Sequence, residues 1–272
     1  MQGWPHVIST AQKIRYINAL LEAGFDTIDF GSFVSPKAIP QMADTAGVLA
    51  ELQWRNKKTD LLAIVANRRG AETAAAAEGV RYIGFPFSVS ETFQQRNTNS
   101  SILQSLETVA EIQQLCARHQ KEMVVYLSMG FGNPYGDPWS PEIVFEWAER
   151  LVQLGVGILS LADTVGLAKP AQVGAMTKHL IEALPGTRIG VHLHASRYNW
   201  EEKLEAAFDA GCRRFDGALR GIGGCPMAGD ELVGNLDTLQ IIRFLEKHGL
   251  ATGIDREALE KALLLADEIF SS

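Results

Sequence analysis

Two histidines separated by one residue are the strongest chemical signal in this chain. His192 and His194 end an apolar run, residues 188–191, that is typical of a β-strand. Because alternate side chains of a strand share a face, both imidazoles project to the same side and could bind one divalent metal ion. The alternative is a pair of partly buried histidines satisfied by hydrogen bonds. The position at the carboxyl end of a strand favours the metal site.

A divalent metal ion of the hard type also needs oxygen ligands. Asn235 follows the last predicted strand and could supply an amide oxygen, although asparagine is also a common N-cap for a helix, here one beginning at Leu236. Asp29 and Asp163 each end a predicted strand, where either carboxylate could be a ligand, a base or a substrate anchor. Lone aspartates at such turns are more often helix caps.

A glycine-rich loop with the sequence GIGGCP occupies residues 221–226. Its glycines permit backbone conformations closed to other residues and let a substrate approach closely, so Gly224 is a candidate substrate contact. They also leave Cys225 on an accessible segment, where we expect a reactive thiol. The usual alternative, a buried bystander cysteine, describes Cys116 in a predicted helix and Cys212 at the entry to a strand.

The connection after the first predicted strand is unusually polar and rigid. It reads SFVSPK at residues 32–37 and ends PQMAD at residues 40–44. Ser32 and Lys37 are candidate substrate contacts here, because Lys37 could face an anionic ligand. A surface lysine is the commoner outcome at such a position.

The elements that must position these residues alternate between helix and strand. Short β-rich apolar runs predict seven strands, at residues 27–30, 61–66, 82–85, 123–128, 158–162, 188–194 and 213–218. Amphipathic segments predict helices at residues 10–23, 71–78, 102–119, 142–154, 171–184, 201–210, 236–247 and 256–269. This alternation is the pattern of parallel β/α architecture.

A (β/α)8-type barrel that lacks its first strand is the fold we predict. The first helix begins within ten residues of Met1 with no apolar strand ahead of it, so seven strands remain of eight. A doubly wound sheet is the alternative, but no GxGxxG turn follows the first strand. Since no linker or low-complexity stretch divides the chain, we expect one domain over residues 1–272.

Composition excludes several classes of function. The chain has 272 residues, of which 46% are hydrophobic, and a formal net charge of −7, which argues against a nucleic-acid or anionic-membrane partner. Three scattered cysteines do not make a disulfide framework, so a reducing cytoplasm is the expected compartment. No targeting segment and no apolar run of membrane-spanning length is visible in these residues.

Five motifs resemble those of the 3-hydroxy-3-methylglutaryl-CoA lyase family. They are GFDTIDFGSFVSPKAIPQMAD, SETFQQRNTNSSI, SLADTVG, VHLH and GIGGCP, in the family's order and at similar spacing over essentially the whole chain. The family belongs to the metal-dependent TIM-barrel lyases and Claisen condensing enzymes. The SFVSPK segment and the GxGGCP loop point to the lyase branch.

This resemblance implies retro-Claisen cleavage of a 3-hydroxy-3-methylglutaryl thioester to acetyl-CoA and acetoacetate, with Mg²⁺ or Mn²⁺ as cofactor. It also implies a homodimer whose substrate is a small acyl-CoA. By the match to the family's motifs, the metal ligands are His192, His194 and Asn235. The catalytic residues that it implies are Cys225, His192, Asp29 and Asp163, with His192 also placed to move a proton.

The chain also departs from the family pattern. Relatives carry an Arg-Asp pair at the end of an opening strand, and both residues would fall just before Met1. Relatives follow the HxH pair with an acidic residue or Asn and then Thr, whereas Ala195, Ser196 and Arg197 stand here, and the last loop reads AGDELVGN. These differences bear on the choice of acyl-CoA substrate, and they leave the class of chemistry unchanged.

Three readings therefore stay open at the level of sequence. In the first, Met1 is an internal methionine of a lyase, and the 272 residues alone have little activity because the Arg-Asp pair is missing. In the second, the chain is an inactive binding subunit that pairs through an open barrel edge. In the third, the chain is a condensing or aldol-type enzyme of the same superfamily that acts on a 2-oxo acid.

Overall fold

The computed structural model describes residues 1–223 and 234–270. The chain groups into two compact units. The first unit comprises Met1–Gly84, Leu115–Glu122 and Leu245–Ser272. The second unit comprises Phe85–Gln114 and Met123–Phe244.

Seven strands form a parallel sheet whose order follows the chain, which confirms the predicted α/β class. Each predicted strand is present, with shifted ends. The strand predicted at 188–194 stops at His192, and the last one is reduced to two residues. The strands are β1 Thr27–Phe33, β2 Asp60–Val65, β3 Val80–Ser88, β4 Glu122–Ser128, β5 Ile158–Ala162, β6 Arg188–His192 and β7 Phe215–Asp216.

The described residues also form ten α-helices, eight of which the sequence analysis predicted. They are α1 Thr10–Ala23, α2 Thr45–Glu51, α3 Arg68–Ala76, α4 Glu91–Thr98, α5 Ile102–His119, α6 Pro141–Gln153, α7 Pro170–Ala183, α8 Trp200–Asp209, α9 Thr238–Lys247 and α10 Arg256–Phe270. Helices α2 and α4 were missed because both are short, and α4 is almost entirely polar. None of these described helices is both long and apolar enough to cross a bilayer.

Helix α1 shows why its ends fall where the sequence predicts them. The Ser9 hydroxyl accepts a hydrogen bond from the Gln12 amide, and the Gln12 side chain bonds back to Ser9, which forms a capping box. Gly24 ends the helix with a φ of 79°, a left-handed conformation that favours glycine. Between these caps, Ile17 and Leu21 are buried within the first unit, where α1 packs on α10.

In the second unit, strand register places polar residues in two rows across the sheet. Tyr126 of β4 is the Cα partner of Ser160 in β5, which in turn partners Gly190 of β6. His192, one row nearer the carboxyl ends of the strands, partners Asp216 of β7. Because side chains two apart along a strand share a face, both rows project to the same side of the sheet.

A buried ion pair lies at the carboxyl ends of β5 and β6. The Lys203 ammonium on α8 lies 2.8 Å from Asp163 Oδ2, and each side chain is 1% exposed. Lys203 also donates to the His194 carbonyl at 2.9 Å, and Asp163 Oδ1 accepts from the Ala168 amide. The pair therefore joins a helix to the ends of two strands.

The close packing of α3 on β1 can be tested at a glycine. A Cβ added to Gly70 would lie 2.1 Å from the Phe33 carbonyl oxygen, whereas one added to Gly47 on α2 meets nothing within 4 Å. We expect Gly70→Ala to destabilise the protein by about 1–3 kcal/mol through overpacking. Gly47→Ala is the matched control and is expected to stabilise by up to about 1 kcal/mol. Urea denaturation measures both, and equal midpoints for the two variants would contradict the packing described here.

Lys203→Met tests the buried ion pair. The substitution leaves the Asp163 carboxylate buried without its cation, which typically costs about 3–5 kcal/mol. Lys261→Met is the control, because Lys261 pairs with Glu257 on the exposed surface of α10 and its loss should leave the urea midpoint unchanged. If Lys203→Met unfolds at the wild-type midpoint, the ion pair does not stabilise the fold.

Candidate active site

The two predicted metal-binding histidines lie side by side in the second unit. Their ring centroids are 5.5 Å apart and the ring planes are inclined by 56°. His194 is buried at 3% exposure, whereas 31% of the His192 side chain is exposed. The HxH spacing at the end of β6 thus brings two imidazoles together, with His192 the more accessible of the two.

Asn235 lies next to His194 although 41 positions separate them in the sequence. The two residues form an isolated antiparallel bridge, and the Ala195 amide donates to the Gly234 carbonyl at 3.0 Å. The Asn235 Nδ2 group donates to the Ile222 carbonyl at 3.2 Å. The amide nitrogen is thereby engaged, so the Oδ1 atom is the end of this side chain that could act as an oxygen ligand.

The alternative role of Asn235 as a helix cap is wrong. Helix α9 begins at Thr238, two residues later than predicted. The Asp237 carboxylate accepts hydrogen bonds from the Leu239 amide and the Arg220 amide, both at 3.1 Å. Asp237 therefore caps this turn, and the backbone bridge to His194 accounts for the place of Asn235.

A carboxylate that the sequence analysis missed lies behind His192. Asp216 Oδ2 is 3.6 Å from His192 Nδ1 and accepts a hydrogen bond from the Ser160 hydroxyl at 2.9 Å. Arg214 Nη1 lies 3.2 Å from Asp216 Oδ1. Burial alone would raise the pKa of Asp216, but the Arg214 guanidinium and the His192 imidazole hold that pKa below its usual range. The group behind the imidazole is thus a carboxylate anion.

Asp163, a predicted catalytic residue, is buried and held by Lys203. Its carboxylate is 1% exposed, one oxygen faces Lys203, and the other accepts from the Ala168 amide. The Asp163 amide also donates to the His192 carbonyl at 2.9 Å. The carboxylate thus also holds the end of β6 to α8, and its catalytic role stays a prediction.

The donors in the second unit suit part of a divalent metal site. Two adjacent imidazoles and one amide oxygen are ligands that such ions accept. The buried His192 Nδ1 has no hydrogen-bond partner among the described residues, and a carboxylate stands 3.6 Å away. Within the described ranges no three His, Cys, Asp or Glu side chains group closely enough to hold a metal ion. The described side chains therefore supply part of a ligand set.

In the first unit, Asp29 and Ser32 line a small cavity of about 100 Å³. Asp29 is exposed where the β1–β2 register shifts between Asp29 and Gly31, a bulge of the kind that redirects side chains. The Ser32 hydroxyl is buried and has no hydrogen-bond partner among the residues that the structure describes. The other residues lining the cavity are Met1, Gln2, Phe30, Gly31, Met42 and Ile64.

Lys37 is not among the cavity residues. It is exposed on the turn in which the Ala38 and Ile39 amides donate to the Ser35 carbonyl. The nearby buried lysine is Lys13 of α1, which sequence reasoning passed over and which lies 2.7 Å from Asp44. This pair of a buried lysine and a half-buried aspartate fixes the end of the PQMAD segment, so this part of the connection is structural.

The cysteines divide as predicted as far as the structure describes them. Cys116 and Cys212 are buried, and burial raises the pKa of the Cys116 thiol to about 12 and that of Cys212 to about 11. Neither thiol ionises near neutral pH, which confirms them as bystanders. Cys225 and Gly224 lie outside the described residues.

Comparison with known proteins gives a consistent answer over the length of the chain. A family model described as HMGL-like matches residues 1–265. The chain is 35% identical over 268 residues to (R)-citramalyl-CoA lyase of Chloroflexus aurantiacus, covering 95% of this chain and 84% of that protein. It is 36% identical over 269 residues to the 3-hydroxy-3-isohexenylglutaryl-CoA/hydroxy-methylglutaryl-CoA lyase of Pseudomonas aeruginosa, covering 96% of this chain and 86% of that protein.

A solved structure agrees with these relatives. It is an HMG-CoA lyase from Acinetobacter baumannii in complex with coenzyme A and 3-methylmalate. The TM-score is 0.91 at 31% sequence identity, over 99% of this chain and 87% of that one. The order of motifs in the sequence predicted the same family. The chain belongs to the HMGL-like family, in which the relatives named here are carbon–carbon lyases.

Proposed function

We propose that this protein is a divalent-metal-dependent carbon–carbon lyase that cleaves 3-hydroxy-3-methylglutaryl-CoA, or a similar 3-hydroxyacyl-CoA, to acetyl-CoA and a keto acid. The keto acid is acetoacetate when the substrate is 3-hydroxy-3-methylglutaryl-CoA. The observation that carries the proposal is the pair of adjacent imidazoles of His192 and His194, with Asn235 bridged to the second of them. Relatives at 35% and 36% identity that act as acyl-CoA lyases support it.

In the proposed site, His192, His194 and Asn235 hold Mg²⁺ or Mn²⁺. A divalent ion bound there supplies Lewis acidity to the substrate oxygens. The protein side chains then handle the protons. The neutral His192 imidazole has one free lone pair, so it takes the proton of the tertiary hydroxyl only while that nitrogen is not bound to the ion. The oxygen's electron pair then forms the new carbonyl as the carbon–carbon bond breaks.

The electrons of the broken bond go to the acetyl-CoA fragment as an enolate, which needs a proton at carbon. We assign Cys225 as that acid, and Gly224 as the neighbour that lets the thioester approach. Asp29 is proposed to act at the substrate as well, with Ser32 and Lys37 as substrate contacts. The assignments of Asp29 and Ser32 are supported by the exposure of Asp29 and by the unsatisfied Ser32 hydroxyl, which line one cavity.

Four expectations about fold, oligomeric state, location and partners belong to the same proposal. One is a single (β/α)8-type barrel domain over residues 1–272 that lacks its first strand, supported by the parallel order of seven strands. The others are a homodimer, a cytoplasmic location and the absence of nucleic-acid or membrane partners. Light scattering of the purified protein tests the dimer, and the codons upstream of Met1 test whether an Arg-Asp strand is encoded.

His192→Ala tests the proposed chemistry. The protein is expressed with any sequence that its gene encodes upstream of Met1. Its substrates in the assay are 3-hydroxy-3-methylglutaryl-CoA and (R)-citramalyl-CoA, which the name of the Chloroflexus relative gives. Acetyl-CoA release should require Mg²⁺ or Mn²⁺, and His192→Ala should lower kcat by about 100-fold or more because a ligand and a base are both lost.

His179→Ala is the matched control, because His179 stacks on Phe145 at a centroid distance of 3.9 Å and belongs to helix α7. It should keep wild-type turnover. Cleavage that continues in a chelator, or an active His192→Ala variant, would contradict the proposal. Condensation of acetyl-CoA with a 2-oxo acid without any cleavage would favour the aldol-type alternative.

Thiol labelling separates Cys225 from the other two cysteines. At about pH 8, iodoacetamide should modify one thiol of the native protein quickly and all three after denaturation, because alkylation needs the thiolate. The raised pKa values and burial of Cys116 and Cys212 keep both of them protonated. Cys225→Ser should abolish the fast phase, and rapid labelling of Cys116 in the native protein would contradict the assignment.

A further inference from the structure

A half-buried arginine, Arg214, lies one row beneath the His192 imidazole in the second unit. The Val191 amide donates to the Arg214 carbonyl at 3.0 Å, and Val191 partners Phe215 across β6 and β7. Arg214 therefore flanks Gly190, as Asp216 flanks His192. Since residues two apart in an extended strand share a face, Arg214 and Asp216 project to the same side of the sheet.

Gly190 makes room for this arginine. A Cβ added at Gly190 would lie 3.0 Å from Arg214 Cγ, 3.0 Å from Arg214 Nη1 and 3.1 Å from Arg214 Cδ. A side chain here would therefore make the arginine shift by a few tenths of an ångström, away from its contacts with Asp216. The absence of a side chain at position 190 lets Arg214 pass across β6 and reach the carboxylate above it.

The Asp216 carboxylate lies next to both the Arg214 guanidinium and the His192 imidazole. Arg214 Nη1 lies 3.2 Å from Asp216 Oδ1 and 3.3 Å from Oδ2, and the Ser160 hydroxyl donates to Oδ2 at 2.9 Å. The same Oδ2 is 3.6 Å from His192 Nδ1. These contacts leave the carboxylate little freedom to rotate away from the imidazole.

The His192 Nδ1 atom needs such a neighbour. It is buried and has no hydrogen-bond partner within the described part of the chain. A buried ring nitrogen without a partner is rare and costly in proteins. A small rotation of the ring would bring Nδ1–H within bonding distance of Asp216, because the gap exceeds an ordinary hydrogen bond by only a few tenths of an ångström.

We propose that Arg214 is a positioning residue that, through Asp216, fixes the ring of His192 with the proton on Nδ1. The Nε2 atom is then the nitrogen presented to a metal ion or to the substrate hydroxyl. The consequence for turnover rests on the lyase function proposed above, whereas the ring orientation does not. Arginine suits this place better than lysine because its charge is permanent and its planar group spans both carboxylate oxygens.

Nitrogen NMR of the protein labelled with ¹⁵N-histidine tests the ring orientation without any turnover. The protein is treated with a chelator and measured at about pH 8, above the ordinary histidine pKa. The His192 signals are identified by their loss in His192→Ala. We expect wild-type His192 to carry its proton on Nδ1, whereas Arg214→Met and Gly190→Ala should shift the majority to Nε2.

Arg213→Met is the control for removing a positive charge from the same segment. Arg213 is the preceding residue, and its guanidinium donates to the carbonyls of Phe208 and Cys212 instead of to Asp216. This variant should keep the wild-type His192 spectrum. A wild-type proton on Nε2, or an unchanged spectrum in both Arg214→Met and Gly190→Ala, would overturn the proposal. If Arg214→Met fails to fold, Gly190→Ala decides, because it displaces the arginine and removes no charge.

Steady-state kinetics add the consequence for catalysis. Arg214→Met and Asp216→Asn should lower kcat about 10- to 100-fold, the usual effect of losing a group that orients a ligand histidine, and leave KM nearly unchanged. A loss confined to KM would assign Arg214 to substrate binding and overturn the positioning role. If the wild-type protein cleaves no acyl-CoA, the lyase proposal fails, and the NMR result still decides the role of Arg214.

Discussion

Two carboxylates, at the carboxyl ends of the strands on either side of β6, must each be held by a cation, and the second unit is built around that requirement. Asp163 after β5 is paired with Lys203, and Asp216 of β7 is paired with Arg214. A buried carboxylate without a cation would cost several kcal/mol. Lys203 comes from α8 and so joins that helix to the end of β5, whereas Arg214 precedes Asp216 by two residues in the same segment. The end of β6, which carries His192, lies between the two pairs.

The two pairs differ in what they leave available for chemistry. The Asp163 pair is almost completely buried, and its carboxylate accepts a further hydrogen bond from the backbone, so the pair stabilises the junction of α8 with the strand ends. The Asp216 pair is partly exposed and lies against an imidazole nitrogen without a partner. In both pairs a cationic side chain holds a carboxylate in place. The Asp163 pair does so at the end of β5, and the Asp216 pair does so at the candidate site beside His192.

The first unit meets a different constraint at its first strand. A register shift between Asp29 and Gly31 breaks the regular alternation of β1. As a result Asp29 is exposed, while Ser32 is buried against the same cavity with its hydroxyl unsatisfied. An unsatisfied hydroxyl in a cavity is a cost to stability that a bound polar ligand would remove. Lys13 and Asp44 stabilise the segment that follows, so the cavity wall is fixed from behind.

The sequence by itself determined the seven strands, eight of the ten described helices, the pairing of two histidines on one strand face and the family. These depend on local periodicity and on motif order, which are visible in one dimension. Only the tertiary structure decided the partners of the histidines. Asp216 faces His192 because β6 and β7 are adjacent in a particular register, and a two-residue strand shows no alternation from which that register could be predicted. The tertiary structure likewise placed Lys203 beside Asp163, since burial depends on packing between elements that are distant in the sequence.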